Sequence, residues 1–454
     1  MPPGFQPASL HAVPPDLRGR RVAVLGLARS GISAARFLLS RGAIVSAYDL
    51  RPREKLPPGA TDIERGGGHL VLGPHPADEF ASADAVVASP GIPSVPAILA
   101  AEAAGVPVVS EVELAAWFLR APVVAITGTN GKSTVTTLVG EILRRGGRPT
   151  FYGANLGRPI SEAVGSEADV PGGVVVAEVS SFQLERTSSL RPVVAALLNV
   201  TDDHLDRHGT LDAYAAVKGR VFLGQRPGDH AVVPHGDALC ARLAAASPAS
   251  RTTFGLDGGD ATVEGDDLLF RPAGFEPVRV PRSSLRIHGR HNVENALAAG
   301  LIARVAGAGV DAIRAAFESF DGLPHRMRLV GEIGGVAFWN DSKATNVGAA
   351  VRAIEGLDRR AVVIAGGRDK GGSYAPLRGP VAARVARMVL IGEARRAIAE
   401  ALGDLTPCED AATLDDAVRA AFRAARPGEA VLLAPARRRR IAAMASERTC
   451  CARR

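Results

Sequence analysis

Short apolar runs alternate with segments of helical spacing along most of this chain, and that alternation limits the possible folds more than any other feature. RVAVLG (21–26) comes first, residues 27–42 then repeat apolar side chains at helical intervals, and AIVSAYD (43–49) is a second apolar run. Strands that alternate with helices form parallel sheets joined by right-handed crossovers. The sequence therefore predicts an α/β fold.

The alternation continues along the 454-residue chain, which is longer than one hydrophobic core usually serves. Further predicted strands are 83–93, 121–127, 172–179, 192–200, 336–341, 360–367, 387–392 and 429–435. Short β-like runs with Gly/Asp turns at 250–290 predict a small antiparallel sheet beside the central parallel one. We predict three α/β domains, at 1–112, 113–321 and 322–454.

Charge and cysteine content exclude several classes of protein. The net charge is +7, but residues 435–454 hold seven Arg and one Glu, so the rest of the chain sums to +1. A basic charge confined to one end does not indicate a nucleic-acid-binding surface. No apolar run approaches the roughly 18 residues of a membrane span, residues 1–20 lack the apolar core of a signal peptide, and the four Cys have no metal-binding spacing. We expect a cytoplasmic monomer that binds neither nucleic acid nor membrane.

The strongest local signal for chemistry is VVAITGTNGKST (123–134), in which a strand, a glycine-rich turn and the start of a helix follow one another. Backbone N–H groups at a helix N-terminus bind phosphate oxygens because they are unpaired and lie at the positive end of the helix dipole. Gly128 and Gly131 allow close approach of the backbone, Lys132 can reach the outer phosphates, and the Ser133 hydroxyl can bind Mg²⁺. This variant of the P-loop predicts nucleotide binding.

Lysine is scarce in a chain that carries 54 basic residues. The lysines are Lys55, Lys132, Lys218, Lys343 and Lys370. A lysine can become a neutral amine whereas an arginine cannot, so a lysine in an arginine-rich chain indicates a position where a guanidinium does not serve. Lys218 lies on a predicted helix among apolar neighbours, and we predict a chemical role for it rather than a snorkelling one.

Acidic and amide side chains follow other predicted strands. Glu178 opens EVSSFQLE (178–185) at a strand end, where a carboxylate either binds Mg²⁺ or faces solvent. NVTDDHLDRHG (199–209) also follows a strand and carries aspartates and histidines. Asn292 and Asn295 share one helix face, where they either bond an adenine or cap the helix.

Three polar loops complete the set of candidate sites. FWNDSKATNVGA (338–349) and GGRDKGGSY (366–374) lie at the ends of predicted parallel strands, where ligands bind in open α/β sheets. GLARSG (26–31) with Asp49 is similar to a dinucleotide fingerprint, with a phosphate at the helix start and the carboxylate on a ribose. The glycines also fit simple helix–strand packing, and a nicotinamide-dependent oxidoreductase is one alternative for this segment.

Seven segments taken in order resemble the Mur ligase family, which builds the peptide of the bacterial cell wall. They are TGTNGKST, EVSSFQLE, NVTDDHLDRH, HNVENA, GLPHR, NDSKATN and GGRDKG, and the resemblance runs from about residue 20 to 435. It implies that 1–112 is a Rossmann-like domain for a uridine nucleotide, that 113–321 is a central P-loop ATPase domain and that 322–454 is a C-terminal dinucleotide-fold-like domain. It also implies an ATP-dependent amide ligase, and NDSKATN and GGRDKG point to the family member that joins D-glutamate to UDP-N-acetylmuramoyl-L-alanine through an acyl phosphate.

The resemblance also assigns site residues. The family's catalytic positions correspond to Lys132, Glu178, His204 and Lys218. Its ATP-binding positions correspond to Gly128, Thr129, Asn130, Gly131, Lys132, Ser133, Thr134, Asn292, Arg326 and Asp341. The UDP-sugar would contact Ala28, Arg29, Asp49, Arg51, Ser89 and Asn155, and D-glutamate would contact Lys343, Thr345 and Lys370. Two Mg²⁺ ions would be held by Ser133, Glu178, His204 and Lys218, the last as a carbamate formed with CO₂.

The resemblance stops near the end of the chain. The family continues from this point with a Ser/Ala-Cys run and a Phe-bearing helix that help hold D-glutamate, whereas residues 436–454 read ARRRRIAAMASERTCCARR. We predict a shift of reading frame in the source gene from about Arg437 and poor use of D-glutamate. Another Mur-type or folylpolyglutamate-type amide ligase is the alternative activity, because it would share the ATP motifs.

Overall fold

The computed structural model describes residues 14–287, 289–367 and 373–436. Two earlier predictions lie outside these residues: the role of Lys370 and the nature of the tail from Arg437 onward. The chain divides into two compact units. Of the described residues, the first unit comprises 14–200, 207–282 and 296–317, and the second comprises 201–206, 283–287, 289–295, 318–367 and 373–436. No helix in the described ranges is both long and apolar enough to cross a membrane.

The first unit begins with a parallel sheet. Its strands are β1 (Arg21–Leu25), β2 (Ile44–Asp49), β3 (His69–Leu72), β4 (Ala85–Ala88) and β5 (Val108–Val109). Its helices are α1 (Arg29–Ser40), α2 (Thr61–Arg65), α3 (Ala77–Ala81), α4 (Pro96–Ala103) and α5 (Glu111–Ala116). The order β3-β2-β1-β4-β5 changes direction at β1. Ligands bind at such a switch point, beyond the carboxyl ends of the strands. The predicted Rossmann-like sheet is confirmed.

Helix α1 lies unusually close to β1 because of one glycine. A Cβ built on Gly31, in the first turn of α1, would lie 1.9 Å from the carbonyl oxygen of Gly26. Any other residue at this position would push the helix away from the strand. Helix–strand packing, one of the two roles that the sequence allowed for GLARSG, is therefore present.

A polar cluster, whose two glutamates are each 1% exposed, joins α5 to loops further along the same unit; we call it the α5 seam. It comprises Ser110, Glu111, Glu113, Ser161, Thr187, Ser188 and Ser189. Glu113 accepts hydrogen bonds from the backbone N–H groups of Ser188 (2.8 Å) and Ser189 (2.9 Å). Glu111 accepts one from the N–H of Ser161 at 2.6 Å. Because Glu111 is fully buried, desolvation raises its pKa to about 7, although its hydrogen bonds oppose the rise.

A nine-stranded mixed sheet forms the rest of the first unit. Its strands are β6 (Val123–Thr127), β7 (Thr150–Ala154), β8 (Val174–Glu178), β9 (Pro192–Leu197), β10 (His230–Pro234), β11 (Ser250–Phe254), β12 (Ala261–Glu264), β13 (Asp267–Phe270) and β14 (Val278–Pro281). The order is β14-β13-β12-β11-β10-β9-β6-β8-β7, and the β12–β13 and β13–β14 pairs are antiparallel. The predicted antiparallel strands are thus present, and they continue the main sheet through the pairing of Phe254 with Ala261.

Seven helices accompany this part of the described chain. They are α6 (Lys132–Arg145), α7 (Ser181–Leu184), α8 (Leu205–His208), α9 (Leu211–Gly219), α10 (Ala238–Ala244), α11 (Arg290–Val305) and α12 (Val310–Ser319). The core strands are buried along their whole length, as in β6 and β8. Their unbroken apolar runs are typical of a parallel sheet covered on both faces.

The second unit contains a six-stranded sheet. Its strands are β15 (Arg328–Ile333), β16 (Val336–Asn340), β17 (Ala361–Gly366), β18 (Val385–Ile391), β19 (Cys408–Asp410) and β20 (Ala430–Ala436). Its helices are α13 (Val347–Glu355), α14 (Arg378–Arg384), α15 (Arg395–Leu402) and α16 (Leu414–Ala424). The order is β15-β16-β20-β17-β18-β19, parallel except for β15 at the edge. The predicted C-terminal α/β sheet is confirmed, and β15 and β19 are additional strands.

Candidate active site

Four neighbouring strands of the central sheet bring the predicted catalytic segments to one edge. The parallel strands β9, β6, β8 and β7 lie side by side in that order. The turn 128–131 follows β6, and Glu178 ends β8. Asn155 follows β7 and Asn199 comes two residues after β9. Since carboxyl ends of parallel strands share one edge of a sheet, these residues face one crevice.

The glycine-rich turn has the backbone geometry of a phosphate-binding loop. Gly128 has φ +151° and Gly131 has φ +83°, conformations that side chains disfavour. Gly131 is the N-cap of α6, which begins at Lys132. A left-handed glycine immediately before a helix turns the first N–H groups of that helix towards the crevice, where they favour an anion. The structure therefore agrees with the predicted strand–turn–helix arrangement.

Two lysines meet at this turn. The ammonium group of Lys132 donates to the carbonyl oxygens of Gly128 (2.8 Å) and Thr129 (2.9 Å). The ammonium group of Lys218, on α9, donates to the same Gly128 oxygen at 2.8 Å. Lys218 is only 1% exposed, and its nitrogen lies 4.6 Å from the centre of the Tyr214 ring. The buried position excludes the snorkelling role for Lys218.

Asn199 pairs with the turn through both its backbone and its side chain. Its carbonyl oxygen accepts from the Thr129 N–H at 2.9 Å. Its side-chain oxygen accepts from the Asn130 N–H (2.9 Å), and its side-chain amide donates to the Asn130 carbonyl (3.1 Å). Sequence reasoning gave Asn199 no role, because nothing in its motif indicates which distant turn it contacts.

Glu178 has a free acceptor in a buried position. The side chain is 2% exposed, and one carboxylate oxygen accepts from the side-chain amide of Asn155. The other oxygen, Oε2, is buried and has no hydrogen-bond partner among the described residues. An unsatisfied buried carboxylate oxygen beside a phosphate-binding turn fits a Mg²⁺ ligand. The solvent-facing alternative for Glu178 does not hold, although the described residues contain no preformed cluster of three or more metal-ligating side chains.

His208 connects two of the motifs and was not assigned by sequence reasoning. Its Nε2 lies 3.1 Å from the Ser181 hydroxyl, and its Nδ1 lies 3.5 Å from Glu185. The imidazole stacks on Phe182 and packs against the ring of Tyr214 at centroid distances of 5.8 and 5.1 Å. The start of EVSSFQLE is itself fixed by a capping box between Ser180 and Gln183 at α7.

The predicted UDP-sugar residues gather at the switch point of the N-terminal sheet. Asp49 accepts from the N–H of Leu27 (2.8 Å) and from the guanidinium of Arg51 (2.7 and 2.8 Å). Burial alone would raise the pKa of Asp49, but these hydrogen bonds outweigh it and hold the pKa at about 2. Ser89 donates to the Gly26 carbonyl at 2.6 Å. Asp49, Arg51 and Ser89 thus surround the turn between β1 and α1.

Ala28 and Arg29 are exposed at the start of α1. A Cβ placed on Gly157 would lie 3.5 Å from the Arg29 guanidinium, so that arginine reaches the loop that carries Asn155. One turn further along α1, the Ser33 and Ser161 hydroxyls are 2.8 Å apart. The N-terminal and central candidate residues of the first unit are therefore neighbours.

In the second unit, His204 is linked to the NDSKATN segment. Asp203 accepts from the backbone N–H of His204 and from the side-chain amide of Asn346, each at 3.0 Å. His204 itself adopts φ +55°, a left-handed conformation that is uncommon for a residue with a side chain. Strained backbone of this kind concentrates at functional sites.

Three of the remaining candidates of the second unit, Asp341, Lys343 and Thr345, follow β16. Asp341 is buried, which raises its pKa to about 7, while the positive charge of Arg326 opposes the rise. Lys343 is exposed and its N–H donates to the His325 carbonyl at 3.2 Å, and Thr345 is half-buried. Asn292 accepts a 3.2 Å hydrogen bond from the side chain of Asn295, so the predicted amide pair is present on α11.

Three family domains match the chain in order. Residues 20–110 match the MurD-like N-terminal domain of Mur ligases, and residues 126–303 match the Mur ligase middle domain. Residues 325–437 match the glutamate ligase domain of Mur ligases.

Curated relatives and solved structures extend these matches. The chain is 44% identical to the UDP-N-acetylmuramoylalanine–D-glutamate ligase of Geotalea daltonii, over 93% of each chain. It is 46% identical to the ligase of the same name from Anaeromyxobacter dehalogenans, over 93% of this chain and 94% of the relative. The fold is similar to a pseudomurein peptide ligase type C from Methanothermus fervidus (TM-score 0.61, 18% identity, 91% and 96% covered). It is also similar to MurF from Acinetobacter baumannii (TM-score 0.58, 19% identity, 91% and 89% covered).

Proposed function

Because the chain belongs to the Mur ligase family, we propose that it joins D-glutamate to UDP-N-acetylmuramoyl-L-alanine with consumption of ATP. The observation that carries this activity is 44–46% identity, over 93% of the chain, to relatives that bear the name of that ligase. The reaction supplies a precursor of peptidoglycan. We place it in the cytoplasm, with the enzyme acting as a monomer.

The chemistry has two steps. A carboxylate oxygen of the L-alanine residue attacks the γ-phosphorus of ATP, which gives an acyl phosphate and ADP. The neutral amine of D-glutamate then attacks the acyl carbon, loses a proton and expels phosphate, so an amide forms. Phosphoryl transfer of this kind is catalysed mainly by positioning and by stabilisation of charge on the transferred group.

Lys132 is proposed to hold the γ-phosphate, with the turn 128–134 around the phosphates. In the described structure its ammonium rests on two backbone carbonyls, which a phosphate can replace as a stronger, charge-assisted acceptor. Ser133 and Glu178 would hold Mg²⁺, which supplies charge neutralisation when bound. The free Oε2 of Glu178 supports that role.

Carbamylation of Lys218 is a finer part of the proposal. A neutral lysine amine adds to CO₂ and releases a proton, which leaves an anionic carbamate. Lys218 and Lys132 present two ammonium groups to one carbonyl, so conversion of Lys218 to an anion would replace repulsion by attraction. The carbamate oxygens and His204 would then serve a second Mg²⁺.

The substrate residues divide between the two units. Ala28, Arg29, Asp49, Arg51, Ser89 and Asn155 are proposed for the UDP-sugar, supported by their gathering at the strand ends of the first unit. Asn292 is proposed for the adenine, and Arg326 and Asp341 for the nucleotide. Lys343, Thr345 and Lys370 are proposed for D-glutamate, whose two carboxylates match cationic side chains.

Phosphate release by the purified protein tests this activity. Release should require ATP, Mg²⁺, UDP-N-acetylmuramoyl-L-alanine and D-glutamate together, and the product should carry one added glutamate by mass. L-Glutamate, diaminopimelate and a folate acceptor serve as controls. Turnover with one of these controls, in place of D-glutamate or the UDP-sugar, would assign the chain to the alternative Mur-type or folylpolyglutamate-type activity.

A further inference from the structure

We propose that Asn199 is a positioning residue that holds the phosphate-binding turn in its binding conformation. It does so by occupying the N–H groups of Thr129 and Asn130, so these two groups do not bind phosphate. The inference rests on the proposed ATP-dependent activity and refines it, because it separates the N–H groups that Asn199 holds from the N–H groups that bind phosphate.

The contacts of Asn199 are specific for an amide. Its side chain accepts from the Asn130 N–H and donates to the Asn130 carbonyl, at 2.9 and 3.1 Å, so it pairs with both backbone polar groups of one residue. A carboxylate of the same shape can only accept, and a hydroxyl has a single oxygen for both bonds. The third bond, from the Thr129 N–H to the Asn199 carbonyl, fixes the preceding peptide.

Occupied donors change the expected phosphate contacts. A backbone N–H has one hydrogen to donate, and those of Thr129 and Asn130 are already directed at Asn199. The phosphates then depend on the first turn of α6, from Lys132 to Thr134, and on the Lys132 ammonium. The Asn199 side chain holds the turn in place and adds no charge, whereas a carboxylate at this position would repel the phosphates.

Asn199→Asp and Asn199→Ala test the role, with the KM for ATP, the KM for the UDP-sugar and the thermal midpoint as readouts. Both variants should raise the KM for ATP by about tenfold, and the increase should be larger for Asn199→Asp because the new side chain is charged. The KM for the UDP-sugar should stay within about twofold of the parent value in both variants. A purely structural asparagine would lower the thermal midpoint without this selective change.

Gln225→Glu is the matched control. The side-chain amide of Gln225 is buried and donates to the carbonyls of Pro192 (3.3 Å) and His230 (2.8 Å), at the opposite end of β9 from Asn199. The same amide-to-carboxylate change there should lower the thermal midpoint and leave the KM for ATP within about twofold of the parent.

Amide hydrogen exchange gives a readout that does not depend on turnover. In the free parent, exchange at Thr129 and Asn130 should be slow, and Asn199→Ala should accelerate it. ADP should slow exchange at residues 132–134 more than at 129–130. Unchanged exchange and an ATP KM within about twofold in both Asn199 variants would overturn the proposal. A parent protein that neither binds ADP nor releases phosphate would instead refute the proposed activity. The comparison of hydrogen exchange between the parent and Asn199→Ala would still test the positioning role of Asn199.

Discussion

Lys132 and Lys218 donate to the same oxygen, the carbonyl of Gly128, and each nitrogen lies 2.8 Å from it. Two ammonium groups at one acceptor repel each other, and little water can screen this repulsion at Lys218, which is 1% exposed. The repulsion is relieved when Lys132 turns to a phosphate or when Lys218 becomes an anion. The two lysines should therefore differ in what restores activity after each is replaced.

Lys132→Ala should lower ATP-dependent phosphate release by more than about a hundredfold, because the charge on the transferred phosphoryl group loses its nearest cation. The chain should keep its thermal midpoint, since the change removes no core side chain. Lys55→Ala, at an exposed lysine on the N-terminal domain, is the control and should behave as the parent. Turnover of Lys132→Ala within about tenfold of the parent would contradict phosphate binding by Lys132.

Lys218→Ala should also lose most activity, and a small carboxylate such as acetate should restore part of it by occupying the place of the carbamate. Lys218→Arg should not be restored, because its guanidinium fills the site and stays positive. Labelled bicarbonate followed by carbon NMR would detect the carbamate directly. A fully active preparation in which Lys218 is unmodified by these measurements would refute carbamylation.

Asp49→Asn should raise the KM for the UDP-sugar and should remove a pH-dependent contribution to stability. The pKa of Asp49 is about 2 in the folded protein against 3.8 for an unperturbed aspartate, so the ionised form stabilises the fold above about pH 4. That contribution disappears as the pH falls through about 2. The midpoint difference between parent and variant should be largest near pH 6 and vanish near pH 2. The exposed Glu54→Gln is the control, and a pH-independent difference for Asp49→Asn would count against the Asp49–Arg51 pair.

Glu111→Gln should change stability with the opposite dependence on pH. Burial raises the pKa of Glu111 from 4.5 to about 7, so the parent is favoured at low pH and loses stability as the pH rises from about 5 to about 8. A glutamine does not titrate, and the free energy of unfolding of the variant relative to the parent should therefore increase over this range. Urea unfolding at several pH values measures it. A flat difference would mean that Glu111 is ionised in the fold already at pH 5.

The sequence predicted three of the four strands that end at the site, β6, β8 and β9, but neither β7 nor the contacts between the loops. Apolar runs such as 121–127 and 172–179 are long and uniform, so β6 and β8 follow from hydrophobic burial alone. β15 was missed because its apolar residues, Leu329, Val330 and Ile333, do not alternate with polar ones, and all six residues of the strand are exposed. The Asn199–Asn130 pairing joins residues 69 positions apart in the chain, and no local preference encodes such a distance.

The buried positions of two other residues were likewise beyond the sequence. Lysine scarcity singled out Lys218, yet its place beneath the Gly128 carbonyl depends on how α9 packs in the folded unit. His208 had no signal of its own, and its contact with Ser181 joins two short helices, α8 and α7, across 27 positions of the chain. Residue type can nominate such side chains, whereas tertiary packing decides what they touch.

The α5 seam limits how this chain can be recombined with its relatives. A chimaera with its crossover between Glu113 and Ser161 would take the two buried glutamates from one parent and the serine N–H groups that bond to them from the other. If the second parent offers a loop of different length, Glu113 is left charged and unsolvated, at a cost of several kcal/mol. With a crossover before Ser110 or after Ser189, all residues of the α5 seam come from the same parent. Domain exchange in this protein should therefore tolerate those two break points and fail between them.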